Sequence, residues 1–223
     1  MSHMNIDYSF EWLKPEDFSE DSAWWSIYQQ SFPPKELDDK NQLLDALQHR
    51  IVKIGCHRRQ DETLAIAVVY PLQAIPCAFL HYFAVAKNFR CQGLGGKLFK
   101  GLVHSVPAIL SSQNNSHFGL VFEVEDPAAA TSLDAKTICE QRIQFYKRHG
   151  AHLFKHSFIQ PAINGTHTVM MRLMYCAPQS NANIHASEKS IAEAIYIEKY
   201  QRVNAIPKEI ISSLLRQCHS STY

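Results

Sequence analysis

Arg90-Cys91-Gln92-Gly93-Leu94-Gly95-Gly96-Lys97-Leu98 follows directly on the apolar run Ala78 to Val85 and leads into a periodic apolar stretch. Three glycines and two cations thus stand between a strand-like segment and a helix-like one. Successive backbone N–H groups, uncovered by side chains at the positive end of a helix, form a cradle for a pyrophosphate. Spacing excludes two other phosphate loops. A Walker loop needs Ser or Thr after Gly-Lys, where Leu98 stands, and glycine at the place of Cys91. The dinucleotide fingerprint needs a last glycine where Leu98 again stands.

Outward from the loop, Leu94, Leu98, Leu102 and Val106 recur every four residues, joined by Phe99 and Val103, and predict an amphipathic helix bounded by Pro107. Upstream, Tyr8 to Trp12 alternates as a strand, and Glu16 to Ser31 reads as one helix stopped by Pro33-Pro34. A second helix is predicted from Lys35 to His49. Ile51 to Cys56 and Leu64 to Tyr70 then read as a hairpin. Downstream come a strand from Phe118 to Val124, a helix from Lys136 to His149 with Gly150 at its C′ position, and strands Leu153 to Gln160 and Thr168 to Cys176. Asn164-Gly165 is placed in the connection between these last two strands. The expected fold class is α/β: a mixed central sheet of about seven strands with helices on both faces, followed by a C-terminal helical extension. Residues 4–176 form the expected main domain, and 177–223 a linker and two helices, opened by Ser187 and Pro207. Docking of those helices on the core or on a second subunit is the simpler reading; a lid over the site is the sharper one.

The stretch Arg-x-x-Gly-x-Gly before a helix resembles the acyl-CoA loop of the GCN5-related N-acetyltransferases. Three further stretches resemble that family in order and spacing. Leu80 to Val85 is similar to its splayed fourth strand, Leu120 to Val124 to its fifth, and Arg142 to Ala151 to its closing helix and glycine. Ser31 to Glu36 resembles its first helical region, so the resemblance spans roughly residues 6–176.

That resemblance implies an acyl-CoA-dependent N-acetyltransferase with acetyl-CoA as donor cosubstrate. The backbone of Cys91, Gln92, Gly93, Leu94, Gly95 and Gly96 would hold the pyrophosphate, with Arg90 and Lys97 nearby. Phe83 and Val85 would lie along the pantetheine. Tyr146 matches the family's general acid, since a phenol keeps its proton at neutral pH and can hand it to a departing thiolate. Two residues are candidates for the base. His81 precedes Val85 by four residues and is read on the same side of the strand as Phe83 and Val85; Glu123 stands on the fifth strand. Glu125-Asp126-Pro127 replaces the asparagine that many members carry there, and its carboxylates would suit a cationic amine. Transfer of a longer acyl or aminoacyl group, or acyl-CoA binding without catalysis, are the alternative readings.

Composition narrows the partners. A chain of 223 residues with a 46% apolar share can bury one sizeable core, and a net charge of +1 exerts no general pull on nucleic acid or membrane. No apolar run approaches a membrane span. Six cysteines without Cys-x-x-Cys spacing and no secretory pattern suggest reduced thiols and a cytoplasmic location, with Met1-Ser2-His3 standing ahead of a start at Met4. His149, His152 and His156 straddle Gly150 and share no assured face, so no metal is expected. The expected partner is a small-molecule or peptide amine acceptor; a homodimer is left open.

Overall fold

The computed structural model describes residues 9–110, 119–163, 167–177 and 186–220. Seven strands form one sheet: Ser9–Trp12 (β1), Lys53–Arg59 (β2), Glu62–Pro71 (β3), Cys77–Val85 (β4), Gly119–Glu125 (β5), His152–Gln160 (β6) and Val169–Cys176 (β7). Their order is β1-β2-β3-β4-β5-β7-β6. Among the described residues β4 and β5 pair in parallel, and the other neighbours pair antiparallel. A parallel pair needs a crossover, which the helix Leu94–Leu110 (α4) supplies between them.

Helices cover both faces. Pro15–Glu20 (α1), Ser22–Ser31 (α2) and Lys40–Gln48 (α3) lie over one core, in which Trp24, Tyr28 and Leu43 meet Ile54, Ile66 and Phe79. On the other face α4 and Leu133–Arg148 (α5) bring Phe99, Leu102, Val106 and Ile143 against Leu80, Leu120 and Phe122. The alternation of the central strands explains this: Val121 enters the first core, Leu120 and Phe122 the second.

Several boundaries differ from the sequence reading, each for a local reason. The single helix expected from Glu16 to Ser31 is broken at Asp21, whose carboxylate caps α2 by accepting from the Trp24 N–H at 2.9 Å. Asp39 caps α3 in the same way through Asn41 and Gln42, so the expected helix from Lys35 shortens and Pro34–Glu36 forms a 3₁₀ turn. Pro107 does not end α4. It lies in the last turn, where its missing N–H costs one ladder bond that the buried Val106 and Leu110 offset. Gly150 does close α5, with φ of +89° and paired bonds from Gly150 N to Lys147 O and Ala151 N to Tyr146 O, both 3.0 Å. The Asn164-Gly165 connection lies outside the described residues.

The C-terminal segment joins the first core. Ser187 caps Glu188–Ala194 (α6), which runs on into a wider π-helical stretch, Ile195–Gln201, before Lys208–Ser220 (α7). Ile191, Ile195, Tyr196, Tyr200, Ile211 and Leu214 are buried in the cluster that holds Trp24 and Phe79. Each such side chain contributes about 1.5–3 kcal/mol on burial, ample to hold helices too short to persist alone. Among the described residues no helix is long and apolar enough to cross a membrane.

Candidate active site

The pairing of β4 with β5 stops early. Cys77 to Leu80 register with Gly119 to Phe122, and beyond them the two strands diverge. Residues 81–85 of β4 and 123–125 of β5 become opposite walls of a cleft of about 990 Å³ that reaches the glycine loop, α5 and the segment before α3.

A β-bulge sets the side chains at this point. Val68 registers with Tyr82 but Val69 with Leu80, leaving His81 as the extra residue. The bulge reverses the alternation, which corrects the expectation that His81 shares a side with Phe83 and Val85. Phe83 packs against Phe99 on the α4 face, 5.9 Å between ring centroids. The His81 ring lies instead among Tyr70, Phe79, Tyr82 and Tyr200, its side chain 2% exposed, with Nε2 3.6 Å from Asp38 Oδ2. Burial lowers its pKa to about 3, so the ring is neutral and weakly basic.

The loop is shaped for backbone presentation. Cys91 and Gly93 occupy the left-handed region, with φ of 59° and 73°, and the first turn of α4 leaves the N–H groups of Leu94, Gly95 and Gly96 without acceptors four residues back. Arg90 braces this turn: its Nε donates to Val85 O at 2.8 Å and its Nη2 to Ser31 Oγ at 2.9 Å. Gly96 is required by packing, because a Cβ there would stand 1.8 Å from His149 Nε2. Gly95 has room, its nearest neighbour being Phe145 at 3.5 Å. Arg90, Cys91, Gly93, Gly95 and Gly96 line the cleft together with Phe83, Val85 and Arg148 of α5. Three expected residues keep their side chains out of the cleft. Gln92 bonds Asn88 O at 2.6 Å, Leu94 is buried against Leu64 and Leu98, and Lys97 is exposed outside the lining.

Tyr146 and Glu123 both line the cleft. The Tyr146 ring packs on Phe122 at 4.5 Å and Phe99 at 5.0 Å, and burial pushes its phenol up to about 12. Glu123 faces the other core, and its Oε1 accepts a 2.7 Å bond from the Tyr200 hydroxyl. Burial raises its carboxyl to about 7, against the Tyr200 bond and the Lys199 charge, which pull it down. The two groups therefore stand on opposite sheet faces and meet only where the strands part. Glu125, whose carboxylate the sequence suggested would suit a cationic amine, is ion-paired with Arg142.

The reading from sequence missed a buried polar hub beside Glu123. Lys199 Nζ lies 2.8 Å from Asp38 Oδ2, both side chains 0% exposed. Asn204 Nδ2 donates to Asp38 Oδ1 at 2.8 Å, and the Asp38 N–H donates to the Tyr28 hydroxyl at 2.9 Å. Burial alone would raise the Asp38 carboxyl; the Lys199 charge, with the hydrogen bonds from Lys199 and Asn204, outweighs it and holds it below its ordinary value. A signal for the hub exists: Lys199 falls four and eight residues after Ile195 and Ile191, a lysine set in an apolar stripe. Among the described residues no cluster of His, Cys, Asp and Glu has the geometry of a metal site.

Splayed parallel strands feeding a glycine loop at a helix N-terminus define an acetyltransferase fold. A sequence profile of the acetyltransferase (GNAT) family matches residues 17–109. No curated protein matches in sequence. A GNAT-family protein from Bacteroides thetaiotaomicron superposes with a TM-score of 0.67 at 20% identity, over 89% of this chain and 99% of its own. A dodecameric spermidine N-acetyltransferase from Vibrio cholerae gives 0.55 at 10% identity, over 80% and 98%. A GNAT-family protein from Desulfovibrio desulfuricans gives 0.53 at 18%, over 78% and 100%. At these identities the likeness is one of fold.

Proposed function

We propose that the protein transfers an acetyl group from acetyl-CoA to an amine by direct attack within the β4–β5 cleft. The observation that carries this reading is the divergence of β4 from β5 after Leu80, which leaves an unpaired strand edge running into the Cys91 to Gly96 loop. The loop N–H groups would hold the pyrophosphate, and residues 81–85 would pair with pantetheine. The donor thioester then lies between Tyr146 and Glu123.

Glu123 is the better base on this geometry. It lines the cleft with a carboxyl near 7, so at neutral pH a large fraction is ionised and able to take a proton from the amine. His81 is less basic and is closed in by aromatic rings. Tyr146 cannot simply protonate the thiolate. Transfer from a phenol near 12 to a thiolate whose acid has a pKa of about 8.5 is uphill. The step runs only if the phenol hands its proton on as it receives the one released by the ammonium of the tetrahedral adduct. Tyr146 is then a relay rather than an acid reservoir.

Glu36 and Glu123 on the cleft wall, Glu125 being paired with Arg142, favour a cationic acceptor, so spermidine, the substrate in the name of the Vibrio neighbour, heads the panel of amines to be screened. The test is calorimetric titration with acetyl-CoA, followed by turnover of Tyr146→Phe. The donor Kd should change less than about threefold while kcat falls about 100-fold. Absence of acetyl-CoA binding would sink the reading; unimpaired turnover would remove Tyr146 from the proton path.

A further inference from the structure

Docking of a helical tail needs only an apolar face, and Ile191, Ile195, Tyr196 and Leu214 supply one. The tail nevertheless buries a lysine, which is costly in a dry core unless it is matched. Its match is Asp38 at 2.8 Å, in the segment between α2 and α3. Three further bonds fix the same stretch. Glu198 accepts from the N–H groups of Gln73 and Ala74 at 2.7 and 2.9 Å, and Asn204 reaches Asp38 at 2.8 Å. The π-helical winding lets the adjacent pairs Ile195–Tyr196 and Lys199–Tyr200 all be fully buried. Tyr200, held by these contacts, ends at the carboxylate of Glu123.

We propose that the C-terminal segment completes the active site: Tyr200 is a positioning residue that holds Glu123 toward the acceptor amine, and the Lys199–Asp38 pair locks its helix to the segment between α2 and α3. This rests on Glu123 acting as the base. The titratable and charged groups around Glu123 are Tyr200, Tyr196 and Lys199 from the tail and Glu36 from the turn after α2, with Asp38 and His81 behind Lys199. The Tyr200 bond favours the carboxylate, so its loss should raise the Glu123 pKa.

The test is a ¹³C NMR titration of the full chain carrying ¹³Cδ-labelled glutamate, with Glu123→Gln identifying the signal. Tyr200→Phe should move the Glu123 midpoint up by about one pH unit, and should carry the acidic limb of kcat/KM with it for the amine found in the screen. A merely structural role would lower stability and leave the midpoint in place. An unmoved midpoint in folded Tyr200→Phe overturns the proposal. Should that variant lose its fold, 3-fluorotyrosine at position 200, a stronger donor, must lower the midpoint, and no shift overturns the proposal equally. Failure of the underlying reading looks different: Glu123→Gln would then keep wild-type turnover, whatever the NMR titration of Glu123 reports.

Discussion

The glycine loop before α4 lines the cleft and the π-helical stretch Ile195–Gln201 stands behind it, bonded to Glu123 through Tyr200, yet the two are built on opposite principles. The loop acts through backbone: glycine at Gly93 permits a φ of 73°, and the unpaired N–H groups follow from the start of a helix. Its backbone conformation is set within Arg90 to Gly96, with Ser31 and His149 only buttressing it. The π-helical stretch acts through two side chains, and both partners are distant in the chain. Lys199 reaches Asp38 across 161 residues and Tyr200 reaches Glu123 across 77. A local device survives in any context that keeps its backbone, whereas a long-range one exists only after the whole core has closed.

The largest expected contrast tests that dependence. Lys199→Met strands Asp38 in the core and should cost about 3–5 kcal/mol, lowering Tm by roughly 6–20 °C in a domain of this size. Adding Asp38→Asn removes the orphaned charge and should recover more than half, as read by thermal melts. If the single variant melts like the parent, the pair is not a structural lock. A loop variant that spares packing, Gly95→Ala, should show no comparable loss.

A smaller effect separates charge from packing at Glu123. Its folded pKa of about 7 lies above the ordinary 4.5, so between those values the folded state keeps a proton that the unfolded chain has released. Stability contributed by that proton is present below about pH 4.5 and lost as pH rises through 7. Glu123→Gln should therefore stabilise the protein by roughly 1–3 kcal/mol at pH 8 and very little at pH 4. Urea melts at the two pH values decide, and an equal effect at both would mean that shape rather than ionisation is responsible.

The smallest effect sharpens the loop itself. Gly96→Ala pushes on His149, whose Nδ1 is held by Phe145 O at 2.7 Å, and should cost about 1–2 kcal/mol without ligand. Gly95→Ala meets only ordinary contact and gains helix propensity, so it should be neutral or slightly stabilising. Equal losses in both would mean that the loop, not the His149 contact, sets the requirement for glycine.

Much of this architecture was readable in the chain. The period of Leu94, Leu98, Leu102 and Val106 marks α4, and Gly150 marks the end of α5, because helix stripes and C′ glycines express local backbone physics. The break at Asp21 was not read, since a carboxylate caps a helix only where the backbone has already turned. The side of His81 was misread for a related reason: strict alternation holds until a bulge intervenes, and a bulge is decided by pairing between strands. For the site, Tyr146, Glu123 and the loop stand in one cleft, while Gln92, Leu94 and Lys97 stand outside its lining.

By itself the sequence determined the glycine loop at the start of α4, the main helices that cover the sheet and the succession of strands along the chain, because periodicity and glycine freedom act over a few residues. Only the tertiary structure decided that His81 turns away from Phe83 and that Lys199 and Tyr200 come to Asp38 and Glu123. Those outcomes depend on which strands pair and which charges must be matched once water is excluded, and neither is encoded within any single stretch of the chain.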